Sequence, residues 1–499
     1  MPRRAVNSAL LPLALDREEE KPMHRQLYDQ LRELILTGRV PTGERLPSTR
    51  TLSRDLSVSR NTVATAFDQL LAEGYLEGRI GAGSYVSREL PEETLSARSD
   101  ATCAPEGHPR KRGLSERGQA LAGLRRKQGK RTPTFTPGLP DVDDFPFDVW
   151  SRLMSRAWRR PPLDLLANQE PAGYRPLREA IAGYLRTARA VRCDADQVII
   201  VSGAQQAIGL AAHVLLDDGD PALVEDPGFP GVRGALLGAG AKLIPVPVDA
   251  EGYDVDAGEK LSPDAKFVCV APSHQYPLGL TMSLSRRLKL LEWASRVDGW
   301  ILEDDYDSEY RYAGRPLAAL QGLDRDGRVV YIGSFSKVMF PSLRLGYLVV
   351  PKDLTDPFRH ARAALDDHPS SIAQPAMTTF IEEGYFAAHL RRMRKLYAAR
   401  QNKLAQLLDV HLSDLLEIMP SEAGMHLVAD LKPSLRARMN DVEAVEIAAG
   451  AGINVAALSG YYVDKPKRQG LLLGYAAVQE NKMEAGVIKL SEALRAELT

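Results

Sequence analysis

The sequence predicts a multidomain chain. A winged helix-turn-helix spans residues 16–88, a flexible basic linker follows over 89–133, and an α/β domain with a smaller α+β subdomain occupies 134–499. Three observations predict this. Helix-period apolar stripes over 23–71 give way at 75–86 to two short strand patterns around a glycine-rich turn. Periodicity then collapses over 89–133 into proline, glycine, serine and positive charge. From 134 onward short apolar runs alternate with longer helical patterns, as strands do when helices bury them on both faces.

In the first part, Met23, Leu27, Leu31, Leu34 and Ile35 recur at helical spacing, and Gly38 with Pro41 stops that helix. Pro47-Ser48 opens a short second helix ending near Leu56. Ser59 is placed to cap a third, whose stripe Val63, Phe67, Leu70 and Leu71 ends at Gly74. Tyr75-Leu76-Glu77 and Ser84-Tyr85-Val86 read as two strands joined by residues 78–83. In such a module the third helix enters the major groove with its first residues against base edges. Ser59-Arg60-Asn61-Thr62 stands there, and Arg can be bidentate to guanine and Asn to adenine. Arg50, opening the second helix, is placed for a phosphate or a base. The turn carrying Arg79 and Gly81 suits a wing over the minor groove or backbone. Double-stranded DNA is the expected partner.

Charge points the same way. The chain holds 64 basic and 65 acidic residues, but residues 1–88 carry 13 and 11, 89–133 carry 10 and 6, and 134–499 carry 41 and 48. A basic front on an acidic body is what a polyanion-binding module fused to another domain shows. The linker leaves room for a short amphipathic helix around 114–127. Three cysteines (Cys103, Cys193, Cys269) stand in no CxxC spacing, which argues against a disulfide framework and a Cys-based metal site and suits a reducing cytoplasm. No stretch approaches the roughly 18 apolar residues of a membrane helix. The apolar run near the N-terminus has no small-residue cleavage site after it, so no signal peptide is expected.

In the α/β part, strands are expected at 198–203, 221–228, 242–248, 266–272, 300–305, 329–334 and 345–350, in a mainly parallel sheet. Several ends of these runs carry chemistry. Lys337 follows a strand in Gly333-Ser334-Phe335-Ser336-Lys337, with Arg344 downstream. A lysine leaving a buried strand end is poised to lose its proton and form a Schiff base, while Ser334, Ser336 and Arg344 suit a phosphate. Ser202-Gly203-Ala204-Gln205 joins a strand to a helix, where backbone N–H groups hold phosphate. Asp304 and Tyr306 end another strand, a carboxylate for a pyridine nitrogen and a phenol for a ring hydroxyl. Phe229, after Asp226-Pro227-Gly228, can stack on a flat cofactor. Open α/β sheets bind ligands at such strand ends.

Residues 22–87 resemble the DNA-binding domain of the GntR family through PTGERLPSTR, SRNTV and LLAEGYLEGRIGAGSYV, in order and with matching spacing. The contacts this implies are Arg50, Ser59, Arg60 and the wing backbone near Gly81; Ala64 stands where some relatives have a base-contacting arginine. Residues 134–499 resemble fold-type-I aminotransferases. That resemblance makes pyridoxal 5'-phosphate the cofactor, Lys337 its aldimine lysine, Asp304 and Tyr306 its ring partners and Phe229 the stacking ring. Ser202, Gly203, Ala204, Gln205, Ser334, Ser336 and Arg344 would surround its phosphate, and Tyr276 replaces the asparagine of an NPxG-type loop. Together PSHQYP, EDDYDSEY and SFSK…PSLRLGY resemble the MocR-type regulators, which join the two domains. This implies a large subdomain at about 171–350, a small one from 134–170 plus 351–499, and a head-to-tail homodimer.

One departure bears on catalysis. Many aminotransferases clamp the substrate carboxylate with an arginine on a late strand, and the segment here, Leu471 to Ala476, has leucine at the aligned place. Arg233, after Phe229, offers another anion contact, with Arg468 and the Tyr461-Tyr462 pair as further candidates. Three readings stand: a regulator sensing a small amine or amino acid through aldimine exchange at Lys337, a regulator sensing pyridoxal phosphate itself, and a working aminotransferase with a DNA-binding head.

Overall fold

The computed structural model describes residues 12–19, 21–79, 83–90, 113–124, 134–161, 163–167, 170–312, 317–419 and 421–498. They fall into two compact units divided between Gly113 and Leu114.

The first unit contains α1 (Met23–Leu36), α2 (Thr49–Asp55) and α3 (Arg60–Ala72), then the antiparallel hairpin β1 (Leu76–Arg79) and β2 (Gly83–Val86). Leu27, Leu31, Leu52, Val63, Phe67 and Leu70, the apolar stripes of the three helices, meet in one core. Pairing from Leu76↔Val86 to Arg79↔Gly83 carries the strands further into 78–83 than the side-chain pattern indicates, because the ladder is made by backbone. Residues 44–46 join its edge: Leu46 N–H donates to the Ser84 carbonyl at 3.0 Å and Val86 N–H to the Glu44 carbonyl at 2.8 Å.

The second unit begins inside the expected linker. Helix α4 (Glu116–Gly123) is capped by Ser115, whose Oγ accepts from Gly118 N–H at 3.0 Å. It is docked: Arg117 pairs with Asp218, and Leu121 and Leu124 lie over glycines of the helix Pro230–Gly238. A Cβ at Gly234 would meet Leu124 at 3.6 Å and one at Gly238 would meet Leu121 at 4.0 Å. The short amphipathic helix allowed for around 114–127 thus forms over Glu116–Gly123, inside the linker expected over 89–133, and glycine lets the two helices approach closely there.

The main sheet has β3 (Val198–Val201), β4 (Pro221–Asp226), β5 (Lys242–Asp249), β6 (Gly252–Tyr253), β7 (Phe267–Val270), β8 (Trp300–Asp305), β9 (Val329–Ser334) and β10 (Gly346–Val349). Their order is β3-β10-β9-β8-β7-β4-β5-β6. Strands β5, β4, β7, β8 and β9 pair in parallel. Strand β10 runs against both neighbours, because the short 335–345 connection holds no crossover helix. Burial on both faces is visible in β3, where Val198 and Ile200 enter one core cluster and Ile199 and Val201 another. A smaller antiparallel sheet, β11 (Leu416–Ile418), β12 (His426–Leu431), β14 (Gly470–Gly474) and β13 (Ala456–Ala457), completes the unit. Residues 134–136 return to it through Gly474 N–H on the Phe135 carbonyl at 2.8 Å and Asn454 N–H on the Thr134 carbonyl at 3.2 Å. Among the described residues no helix is long and apolar enough to cross a membrane.

Candidate functional site

In the first unit, Ser57 takes a left-handed φ of 53° and turns the chain sharply between α2 and α3. The start of α3 is then presented with Ser59, Arg60 and Asn61 exposed. Ser59 Oγ accepts from Thr62 N–H at 3.0 Å and lies 2.8 Å from Thr62 Oγ1, so these two hydroxyls first of all cap the helix. Arg50 is exposed at the start of α2, whose own cap is Ser48. Arg79 closes β1 and Gly81 lies outside the described residues. Sequence reading missed Arg45, which bridges to Tyr85 and whose guanidinium would meet a Cβ at Gly83 at 3.2 Å. It brings a further cation to the wing, and PTGERLP was the signal that contained it.

In the second unit the ends of β3, β4, β7, β8 and β9 bring the predicted residues together. Lys337, partly buried after β9, donates from Nζ to the Gly138 carbonyl at 2.9 Å. Gly138 has φ 68°, and a Cβ there would sit 2.9 Å from that nitrogen. Its place at the edge of the expected linker hid this role.

Asp304, at the end of β8, is buried, and its Oδ1 has no hydrogen-bond partner among the described residues. Burial, then the neighbouring Asp305 and Asp307 charges, push its carboxyl up to about 7, while Lys337 pulls it down. Ser336 Oγ is another buried atom without a partner among the described residues. The Ser336 N–H donates to Ser334 Oγ at 3.3 Å. Tyr306 Oη lies 2.9 Å from His274 Nδ1. Rings of Phe229 and Tyr306 stand edge-on to Tyr276, each with centroids 5.9 Å away, and the Tyr276 hydroxyl donates to Tyr461 Oη at 3.1 Å.

Gly203, with φ 133°, opens the helix Ala204–Leu215, and no side chain caps that end. The exposed Arg344, itself in a left-handed turn, folds back so that its guanidinium would meet a Cβ at Gly203 at 3.6 Å. Backbone donors at 203–205 and a cation thus converge on one point, which suits a phosphate. Ser202 departs from expectation, since its N–H already donates to Gln206 Oε1 at 2.7 Å.

The anion candidates are differently placed. Arg233 donates to the Tyr461 carbonyl, and burial lowers its pKa. Arg468 is clamped on Asp430 by bonds of 3.1 and 3.0 Å. Leu472 on β14 is buried beside Leu278, Leu458 and Tyr462, with Tyr276 and Tyr461 packed against that cluster. The orphaned carboxylate oxygen, the orphaned hydroxyl, the uncapped helix end and the lysine together fit pyridoxal phosphate. Asp304 would take the pyridine N–H, and Ser336, Arg344 and the 203–205 backbone the phosphate.

Comparison with known proteins agrees with both halves. Residues 23–86 match bacterial regulatory proteins of the gntR family and 164–490 match class I and II aminotransferases. A probable rhizopine catabolism regulatory protein, MocR, of Rhizobium meliloti is 44% identical over 97% of this chain and 96% of its own. The pyridoxine biosynthesis transcriptional regulator PdxR of Corynebacterium glutamicum is 30% identical over 97% and 98%. Among solved structures, the kynurenine aminotransferase of Pyrococcus horikoshii, determined with PMP, superposes with a TM-score of 0.68 at 26% identity, covering 78% of this chain and 96% of that one. The helix-turn-helix and the lysine-centred strand ends thus belong to one known design, and the chain is a member of the MocR-type transcriptional regulators, in which a gntR-family DNA-binding domain is fused to a class I/II aminotransferase domain.

Proposed function

We propose that this protein binds pyridoxal phosphate at Lys337, senses a small amine or amino acid there, and changes its operator binding in response. One observation carries the reading: among the described residues buried Asp304 Oδ1 and Ser336 Oγ have no hydrogen-bond partner, beside a lysine at a strand end, which fits the polar edges of that cofactor. When bound, the cofactor would supply an aldehyde carbon for which an effector's amine competes with the amine of Lys337, each being released as the other is joined. Around it, Asp304 would hold the ring nitrogen's proton, Tyr306 would donate to the ring hydroxyl, Phe229 and Tyr276 would wall the site, and Arg344 would anchor the phosphate.

An amine can shift the protein only through contacts that differ between two states. The segment 458–463 supports such a difference. It lies over the site, held by Gly228 N–H on the Tyr461 carbonyl at 3.1 Å, by Arg233 on the same carbonyl and by Val463 N–H on Asp226 Oδ1 at 2.6 Å. Arg233 sits on the helix Pro230–Gly238, on which α4 is docked, so movement there reaches the chain leading to the DNA-binding unit. Paired heads in a head-to-tail homodimer, in the cytoplasm, would read paired half-sites.

The test is the visible absorption of the purified protein beside Lys337→Ala, titrated with a panel of amines, with operator binding followed in parallel. A lysine-dependent band that one amine converts to a stable new band, with altered DNA affinity, supports the reading. Loss of the band with keto product accumulating favours an aminotransferase, against which the leucine at the carboxylate-clamp place in the segment Leu471 to Ala476 argues. The likeness to PdxR favours a second reading, in which pyridoxal phosphate is itself the signal and DNA binding changes on adding it alone.

A further inference from the structure

We propose that His274 and Asp307 form a positioning pair that dictates which way the Tyr306 hydroxyl donates its hydrogen. The inference rests on the cofactor reading above. His274 and Asp307 are 2% and 1% exposed, and the sequence motifs PSHQYP and EDDYDSEY that contain them assign neither a role.

His274 Nδ1 lies 2.9 Å from Asp307 Oδ1 and 2.9 Å from Tyr306 Oη. A neutral imidazole has one hydrogen, and its neighbours decide which nitrogen carries it. With the hydrogen on Nε2, the Nδ1 lone pair would face a carboxylate oxygen, and the Nε2–H would be a buried donor without a partner. On Nδ1 it is shared between Asp307 and the phenol oxygen. Tyr306 then accepts from the imidazole, and its own hydrogen has to go elsewhere. The acceptor that fits is the ring oxygen of a cofactor held by Lys337 and Asp304.

The ring has little room to turn. A Cβ at Gly424 would lie 2.1 Å from His274 Cε1, and one at Gly279 would lie 3.3 Å from Nε2. Besides Asp304 and Tyr276, described above, the titratable groups facing the pair leave this arrangement intact. His426, with ring centroid 5.9 Å from that of His274, is neutral, its pKa lowered to about 4 by burial and then by His274, and it bonds the Pro277 carbonyl at 2.8 Å. Tyr310, Tyr312 and Tyr475 are held protonated, mainly by burial with the Asp307 charge adding to it.

The experiment uses the full chain loaded with pyridoxal phosphate and reads the pH midpoint of its visible band. A phenol donating to the ring oxygen stabilises negative charge there, so Tyr306→Phe should raise the midpoint by about one unit or more, as loss of a hydrogen bond to a charged group implies. His274→Phe should raise it in the same direction, yet add nothing in the Tyr306→Phe background. His274→Gln, whose amide can still donate to the phenol, should lie close to the unaltered protein. If His274→Phe leaves the midpoint in place while Tyr306→Phe moves it, or if Gln and Phe shift it alike, the positioning role is overturned. If no lysine-dependent band forms at all, it is the cofactor reading that fails.

Discussion

Gly138→Ala isolates the contact on which the lysine's position depends. Two costs attach to it, and the structure separates them. The first is conformational: φ is 68°, and an L side chain in that region costs about 1–2 kcal/mol. Gly327 has the same φ of 68° with nothing within 4 Å of an added Cβ, so Gly327→Ala measures that cost alone. The second is steric. The new methyl would lie 2.9 Å from Lys337 Nζ, about half an ångström inside ordinary contact. In the cofactor-free protein the ammonium is the end of a flexible chain and swings aside at little cost. Once Nζ is tied to a cofactor it cannot. Both variants should therefore lose about 1–2 kcal/mol in urea unfolding of the cofactor-free protein. Gly138→Ala alone should weaken pyridoxal phosphate binding, by about tenfold for a displacement of this size. The assay is unfolding by circular dichroism beside a cofactor titration by visible absorption. Equal cofactor affinity in the two variants would refute the placement of Gly138 against the lysine.

Three further outcomes follow from the same geometry. Arg60→Ala should cost about 1–3 kcal/mol in operator binding and relax preference at one base position, whereas Ser59→Ala should cost about 1 kcal/mol of stability in the first unit through loss of its cap; binding measured on single-base operator variants, with thermal unfolding, separates them. Gly238→Leu should crowd Leu121 and lift α4, leaving the amine-induced spectral change intact while the DNA response weakens; a fully retained response would show that α4 carries no signal. His389 is buried, with its pKa lowered to about 4 chiefly by desolvation, so the native state takes up fewer protons than the unfolded chain between the ordinary histidine value and 4. Stability from that residue is present above the ordinary value and lost as pH falls through this window, by up to about 3 kcal/mol, so His389→Gln should flatten thermal stability against pH on the acid side.

Much of the fold was legible because it rests on local periodicity. The stripes of α1 and α3, the caps Ser48 and Ser59 and the twice-buried runs of the main sheet are each written in adjacent residues, and adjacent residues suffice to form them. The site was half legible for the same reason. Lys337, Asp304, Tyr306, Phe229 and Gly203 stand at strand ends, and parallel strands bring those ends to one edge whatever the details of packing.

Tertiary structure decided what depends on pairs distant in the chain. That Gly138 lies against Lys337, that Arg233 holds the Tyr461 carbonyl and that Arg468 is spent on Asp430 could not be read from spacing, since a side chain's partner is set by which elements meet. The direction of β10 is likewise a matter of connection length and neighbours, because its apolar run suits either orientation. Helix α4 shows the limit most clearly. Its eight residues are too few to hold a helix in isolation, and only the glycine face of the helix Pro230–Gly238 turns part of a basic linker into structure.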